Sequence, residues 1–180
     1  MAPTPLARLQ EGYDALRPAS WDKGRVTRLA LRPATNERQV VEVMRVTRAG
    51  GIDGDRWANG AKRHPDNQIT LMREDVARLL CPDDQIEIFG DNIFADIDLQ
   101  DDLLRVGSVL RIGSAALQVS PKPHNGCAKF KQRSVAEALE FISQPALKKH
   151  RLRGIHLFVL EPGEFRVGDP IMVEWAAGII

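Results

Sequence analysis

A chain of 180 residues with 25 basic and 24 acidic side chains carries a net charge of +1, so charge gives no reason to expect nucleic acid or an anionic membrane as its main partner. No apolar run approaches the roughly 20 residues that span a bilayer, and the opening M-A-P-T-P-L-A-R-L-Q-E has no apolar core of a secretory signal. Two cysteines make neither a disulfide framework nor the ligand set of an iron–sulfur cluster, which points to a reducing cytoplasm and to electrons supplied from elsewhere.

Residues 1–24 are Pro-rich, with Leu6, Leu9, Tyr13 and Leu16 at helical spacing, and read as an arm or a short packed helix. Residues 25–180 read as one domain. Residues 26–31 (V-T-R-L-A-L) and 39–47 alternate like strands, and the turn T-N-E-R between them makes an antiparallel hairpin. Residues 48–67 are rich in Gly, Asn and Asp and form a loop, in which Asp55, Arg56, Arg63 and His64 are candidates for a site wall. Residues 68–72 form a short strand. Residues 73–80 form a helix stopped by Cys81-Pro82, with Cys81 packed at its end.

Residues 86–88 look like a further extended piece, followed by a Gly-Asp turn that carries Asn92 either into a site or merely around the bend. Residues 109–112 and 115–120 form a hairpin about Gly113-Ser114. L-R-V-G-S-V-L-R-I (104–112) echoes F-R-V-G-D-P-I-M-V (165–173), which fits two similar corners of one barrel. Ser134 and Glu137 have the spacing of a capping box opening a helix, and Pro145 starts a second helix that is basic in its last turn and stops at Gly154. Residues 155–160 and 167–175, joined through Pro162-Gly163, form a closing hairpin. Eight or nine strands with two or three short helices make the chain mainly β, a largely antiparallel barrel or sandwich.

The chemistry concentrates in residues 119–130, V-S-P-K-P-H-N-G-C-A-K-F. Pro121 and Pro123 hold the chain extended, and Gly126 permits a turn or a close approach. Cys127 lies among Lys122, Lys129, Lys131 and His124, an environment that favours a thiolate able to attack electrophiles or ligate a soft metal. His124-x-x-Cys127 could also begin a zinc site completed by Cys81, His64, His150 or His156, or a Cys–His nucleophile pair, though neither has a clear further partner.

Several segments in order resemble the MOSC domain, the family named for the C-terminal domain of molybdenum cofactor sulfurase. They are G-I-D-G-D-R (51–56), G-D-N-I (90–93), V-G-S-V-L-R-I-G-S-A-A-L-Q-V-S (106–120), H-N-G-C-A-K-F (124–130), R-G-I-H-L-F-V-L (153–160) and V-G-D-P-I-M-V (167–173). The likeness spans roughly residues 25–175. It implies a MOSC-type β-barrel with Cys127 as metal ligand to a molybdenum cofactor (molybdopterin) or as persulfide carrier. It also implies sulfur transfer or reduction of N-hydroxylated compounds, with a small-molecule substrate and an external electron donor or cysteine desulfurase. On that resemblance, Asp55, Asn92 and His124 join Cys127 as catalytic candidates, and Arg56, Arg63, Lys122, Lys129, Arg133 and Arg153 are the cations available to the cofactor phosphate. Many members have Pro directly before the cysteine, where this chain has Gly126, and the extra N-terminal β-domain of larger relatives is not expected here. Monomer and homodimer both stay open.

Overall fold

The computed structural model describes residues 4–60 and 63–174. Residues 1–3 of the expected arm, residues 61 and 62 of the Gly-rich loop, and Trp175 of the expected last strand lie outside the described residues. The strands are β1 (Lys23–Leu31), β2 (Gln39–Val41), β3 (Val43–Thr47), β4 (Gly51–Ile52), β5 (Ile69–Arg73), β6 (Ile93–Ala95), β7 (Val109–Ile112), β8 (Ala115–Val119), β9 (Ile155–Glu161), β10 (Gly163–Arg166) and β11 (Pro170–Glu174). The helices are α1 (Pro5–Asp14), α2 (Glu74–Leu80), α3 (Ala128–Arg133) and α4 (Ala138–Ser143), with short 3-10 turns between.

Seven strands close a mixed barrel in the order β11-β7-β8-β9-β5-β6-β1, and β1 completes the ring by pairing with β11. β2 extends β1 outside the ring, and β10-β3-β4 form a second small sheet. The pair β5–β6 is parallel, and its strands are buried on both faces, as parallel pairs usually are. Ile69, Leu71 and Ile93 face the barrel interior, while Met72 and Phe94 join a second apolar cluster under the helices with Leu9, Val76, Leu80, Phe130 and Phe141. The site described below forms on this outer wall, where sheet and helices meet.

The mainly β barrel and the hairpins β1–β2 and β7–β8 are as expected, with Leu29 opposite Val41 and Leu110 opposite Leu117. The two Val-Gly corners are real: Gly107 (φ +89°) and Gly168 (φ +91°) both adopt the left-handed conformation that glycine tolerates, ahead of the mutually paired β7 and β11. The N-terminal segment forms α1, capped by Thr4, whose hydroxyl accepts from the Ala7 amide at 3.2 Å.

Other elements differ. Residues 39–47 break at Glu42, because β3 leaves β1 to pair with β10. The closing hairpin does not form. β10 intervenes after Pro162 with Phe165 buried, and β11 turns at Gly168 to pair with β1 and β7 instead. Residues 86–89 form a 3-10 turn, not a strand, closed by Gly90 at φ +86°. The capping box is displaced: Ser134 ends α3 and the Val135 amide is spent on the Leu80 carbonyl, so α4 starts only at Ala138. The basic turn at Pro145–His150 ends at Arg151 (φ +48°), three residues before the expected Gly154.

Gly154 has its own reason to be glycine. It lies at φ +94°, and a β-carbon there would overlap the Leu71 carbonyl oxygen. Gly154→Ala is expected to lower stability by about 1–3 kcal/mol through strain alone, with overlap adding to the loss. Urea denaturation monitored by circular dichroism checks this, and an unchanged midpoint overturns it.

Candidate functional site

β8 leaves the barrel at Ser120, whose amide donates to the His156 carbonyl of β9 at 3.0 Å, and the Ser120 hydroxyl accepts from the Lys122 amide at 3.0 Å. This pins the start of the proline-containing loop to the barrel wall. The loop ends at Cys127, which caps α3 in extended conformation, its carbonyl accepting from the Lys131 amide at 2.9 Å. Phe130 anchors α3 in the outer apolar cluster. Cys127 is a free, exposed thiol. Gly126 packs tightly: a β-carbon would press on the ends of Leu139 and Ile142 of α4.

Beneath the loop lies a buried polar cluster. Asp91 is wholly buried, and its Oδ2 accepts from Arg153 Nη1 at 2.5 Å. Arg153 also donates to the Phe89 carbonyl at 3.3 Å and stacks 5.1 Å from the centre of the Phe130 ring. Asp91 Oδ1 faces His124 Nδ1 at 3.7 Å. The His124 ring lies 4.4 Å from that of His156, which leaves β9 on its outer face between the inward-facing Ile155 and Leu157. Burial, then Arg153, His156 and Arg32, push the His124 pKa well below the usual imidazole range. Burial, then Lys122, Arg153 and Arg32, lower that of His156 to about 4. Asp91 Oδ1, His124 Nδ1, His156 Nδ1 and Arg153 Nε are buried without a hydrogen-bond partner, a costly condition outside a functional site.

A cavity of about 610 Å³ opens beside this cluster. His124, Lys122 and Arg153 line it with Lys148, Arg151 and Asp101, so cations outnumber the one acid. Arg151 is partly committed, donating to the Leu104 carbonyl at 2.6 Å. Cys127 follows directly on Gly126, a wall residue.

The remaining sequence candidates lie apart. Asp55 is buried in a closed network: Arg32 donates to it through Nε at 2.9 Å and Nη2 at 3.1 Å, and the Arg32 and Trp57 amides and Asn92 Nδ2 complete its shell. Asn92 also donates to the Ala30 carbonyl, and its oxygen accepts from Thr70. Arg56 borders a separate hollow with Asp55, and Arg63 donates to the Ala58 carbonyl. On α3, Lys129 is exposed, while Arg133 bridges the Ile88 carbonyl and Asn36.

The zinc reading gains no support. Cys81 sits at the end of α2 beside Asp83, His150 packs on Tyr13, and His64 caps a 3-10 turn. Among the described residues no three His, Cys, Asp or Glu side chains are grouped to hold a metal. Sequence reasoning missed Asp91, taken for a turn residue, and the contributions of Lys148 and Arg151, taken for helix-end cations. The signal for Asp91 was present only as its place beside Asn92.

A family model described as the MOSC domain matches residues 61–172. No curated protein matches the chain. Among solved structures, the YuaD protein from Bacillus subtilis is similar with a TM-score of 0.61 at 20% identity, covering 84% of this chain and 95% of its own. YiiM from Escherichia coli gives 0.57 at 18% identity (87% and 72%) and YiiM from Geobacillus stearothermophilus 0.57 at 17% (84% and 75%). At these identities the likeness is one of fold.

Two pH effects follow from the buried groups. Burial alone would raise the Asp55 pKa, but Arg32 and the backbone amides outweigh it and hold the carboxyl below its usual range. Its stabilisation is therefore fully present above the unfolded value of about 3.9 and is lost as pH falls through the depressed folded value. Asp55→Asn is expected to cost on the order of 3 kcal/mol at pH 7, by leaving Arg32 without its counter-charge, and to lessen the acid dependence of the urea midpoint. His156 acts at higher pH. Its folded value near 4 lies below the ordinary 6.5, so the unfolded chain binds more protons between them and stability declines as pH drops through that window. His156→Gln is expected to flatten the urea midpoint against pH between about 6.5 and 4. An equal slope in variant and parent overturns the assignment.

Proposed function

This chain belongs to the MOSC domain family, and on that premise we propose that it binds molybdenum cofactor with Cys127 as ligand to the metal and reduces N-hydroxylated compounds with electrons from an external donor. The observation that carries the reading is an exposed free cysteine one residue beyond a cation-lined cavity, with His124 and Arg153 in its wall backed by the buried Asp91. These residues suit the group. A thiolate is a soft ligand fit for a sulfur-ligated molybdenum centre, and Lys122, Lys148 and Arg153 supply charge-assisted donors for a pterin phosphate. When bound, the cofactor would supply two-electron redox chemistry for reductive cleavage of the substrate N–O bond, with the electrons coming from the external donor.

In this reading the chain's own residues bind and orient. Lys122 and Lys148 sit at the exposed side of the cavity, where an anionic ligand enters, and Arg153 is fixed in its wall. Asp55 and Asn92 position the segment carrying Asp91, and Lys129 and Arg133 belong to the helix that the cysteine caps. Among the described residues no helix is long and apolar enough to cross a membrane. We place the reaction in the cytoplasm, on a small-molecule substrate.

The exposure of Cys127 also favours a second reading, a persulfide carrier loaded by a cysteine desulfurase. Molybdenum analysis of protein purified anaerobically from a cofactor-producing host separates the two. Near-stoichiometric metal is expected in the parent and none in Cys127→Ser, which should fold normally because exposed positions away from special features rarely change stability by more than about 0.5 kcal/mol. No metal in either protein overturns the first reading. An intact-mass gain of one sulfur atom on Cys127 after incubation with a desulfurase then supports the second.

A further inference from the structure

We propose that Asp91 is a positioning residue of this site, holding Arg153 in the cavity wall with one carboxylate oxygen and His124 as the Nδ1–H tautomer with the other. His124 Nε2 is thereby left as an acceptor for a ligand N–H or O–H. The inference rests on reading the cavity as a ligand site. It starts from a buried pair: Asp91 has no exposure, and Oδ2 lies 2.5 Å from Arg153 Nη1. A carboxylate so paired can only accept hydrogen bonds. Its second oxygen faces His124 Nδ1 at 3.7 Å, and both atoms are buried with no other partner.

A neutral imidazole carries one N–H, and burial together with Arg153, His156 and Arg32 keeps His124 neutral. A lone pair on Nδ1 would face the carboxylate oxygen in a medium of low dielectric, with nothing between them to relieve the repulsion. A proton on Nδ1 turns the same contact into attraction. Because Nδ1 is sealed, Nε2 is the nitrogen available to a ligand. This matters for specificity. Lys122 and Lys148 line the cavity as exposed cations, with the more committed Arg151 and Arg153, so His124 Nε2 adds an acceptor suited to the N–OH or amidine N–H of an N-hydroxylated base.

Two-bond ¹H–¹⁵N correlation spectra of the cofactor-free protein, with His124 assigned through His124→Gln, read the tautomer directly. The expected result is an Nδ1–H ring in the parent and a shift toward Nε2–H in Asp91→Asn. An Nε2–H ring in the parent overturns the proposal even if the variant fails to fold, and a folded variant with an unchanged ring does the same. Because this readout needs no metal, it fails or holds separately from the molybdenum analysis. In metal-loaded protein, Asp91→Asn is expected to lower kcat/KM roughly 10- to 100-fold at unchanged molybdenum content. Loss of the metal instead would make Asp91 a cofactor-retention residue and overturn its role toward the substrate.

Discussion

Two buried carboxylates, each needing a cation, organise this molecule on either side of one turn. Asp91 is paired with Arg153 and Asp55 with Arg32, and the residues that join the two pairs are consecutive: Gly90, Asp91 and Asn92. Gly90 turns the chain, Asp91 reaches Arg153 and His124, and Asn92 reaches Asp55, Thr70 and Ala30. A buried charge without its partner costs several kcal/mol, so neither side can shift without the other. The long loop after β4 and the cysteine loop after β8, far apart in sequence, are thus referred to a common point.

The barrel makes that point rigid. β5 and β6 run parallel and are buried on both faces, so the turn feeding β6 has packed chain behind it and helices in front. Arg153 and His156 precede and begin β9, which pairs with β5 through Thr70 opposite His156. The outer cluster seats Phe130 under the Arg153 guanidinium, which ties the helix capped by Cys127 to the same ion pair. A loop with two prolines and few hydrogen bonds of its own is held by what lies beneath it.

What the sequence made legible follows the range over which its signals act. Period-two alternation and Gly-Ser or Val-Gly turns are local, and they gave the barrel strands and both corners. The break at Glu42, the escape of β10 to β3 and the new partners of β11 depend on pairing across the chain, which no local pattern encodes. The capping box failed for the same kind of reason: Ser134 had already been used to end α3, a helix hidden in the cysteine stretch. At the candidate site, residue types brought out Cys127, His124 and Lys122, and the family resemblance added Arg153, otherwise read as a helix-end cation. Asp91 escaped because an acid after glycine looks like an ordinary turn until its buried partner, 62 positions away, is known.

The contrast between thiol and floor bears on how such a site can work. Cys127 is exposed and takes part in no side-chain cap, so its sulfur is free to meet a ligand arriving from solvent. Asp91, His124, Arg153 and His156 are the reverse, buried and mutually constrained, with polar atoms lacking partners. Stability alone would select against that arrangement, since apolar residues of similar shape would fill the space at less cost. Beside a cationic cavity, such a cluster fits preorganisation: in the proposed reading, Asp91 fixes Arg153 and His124 in the wall in advance, so that a ligand would meet side chains already aimed. In the proposed reading the exposed cysteine would supply reach and the buried polar cluster direction.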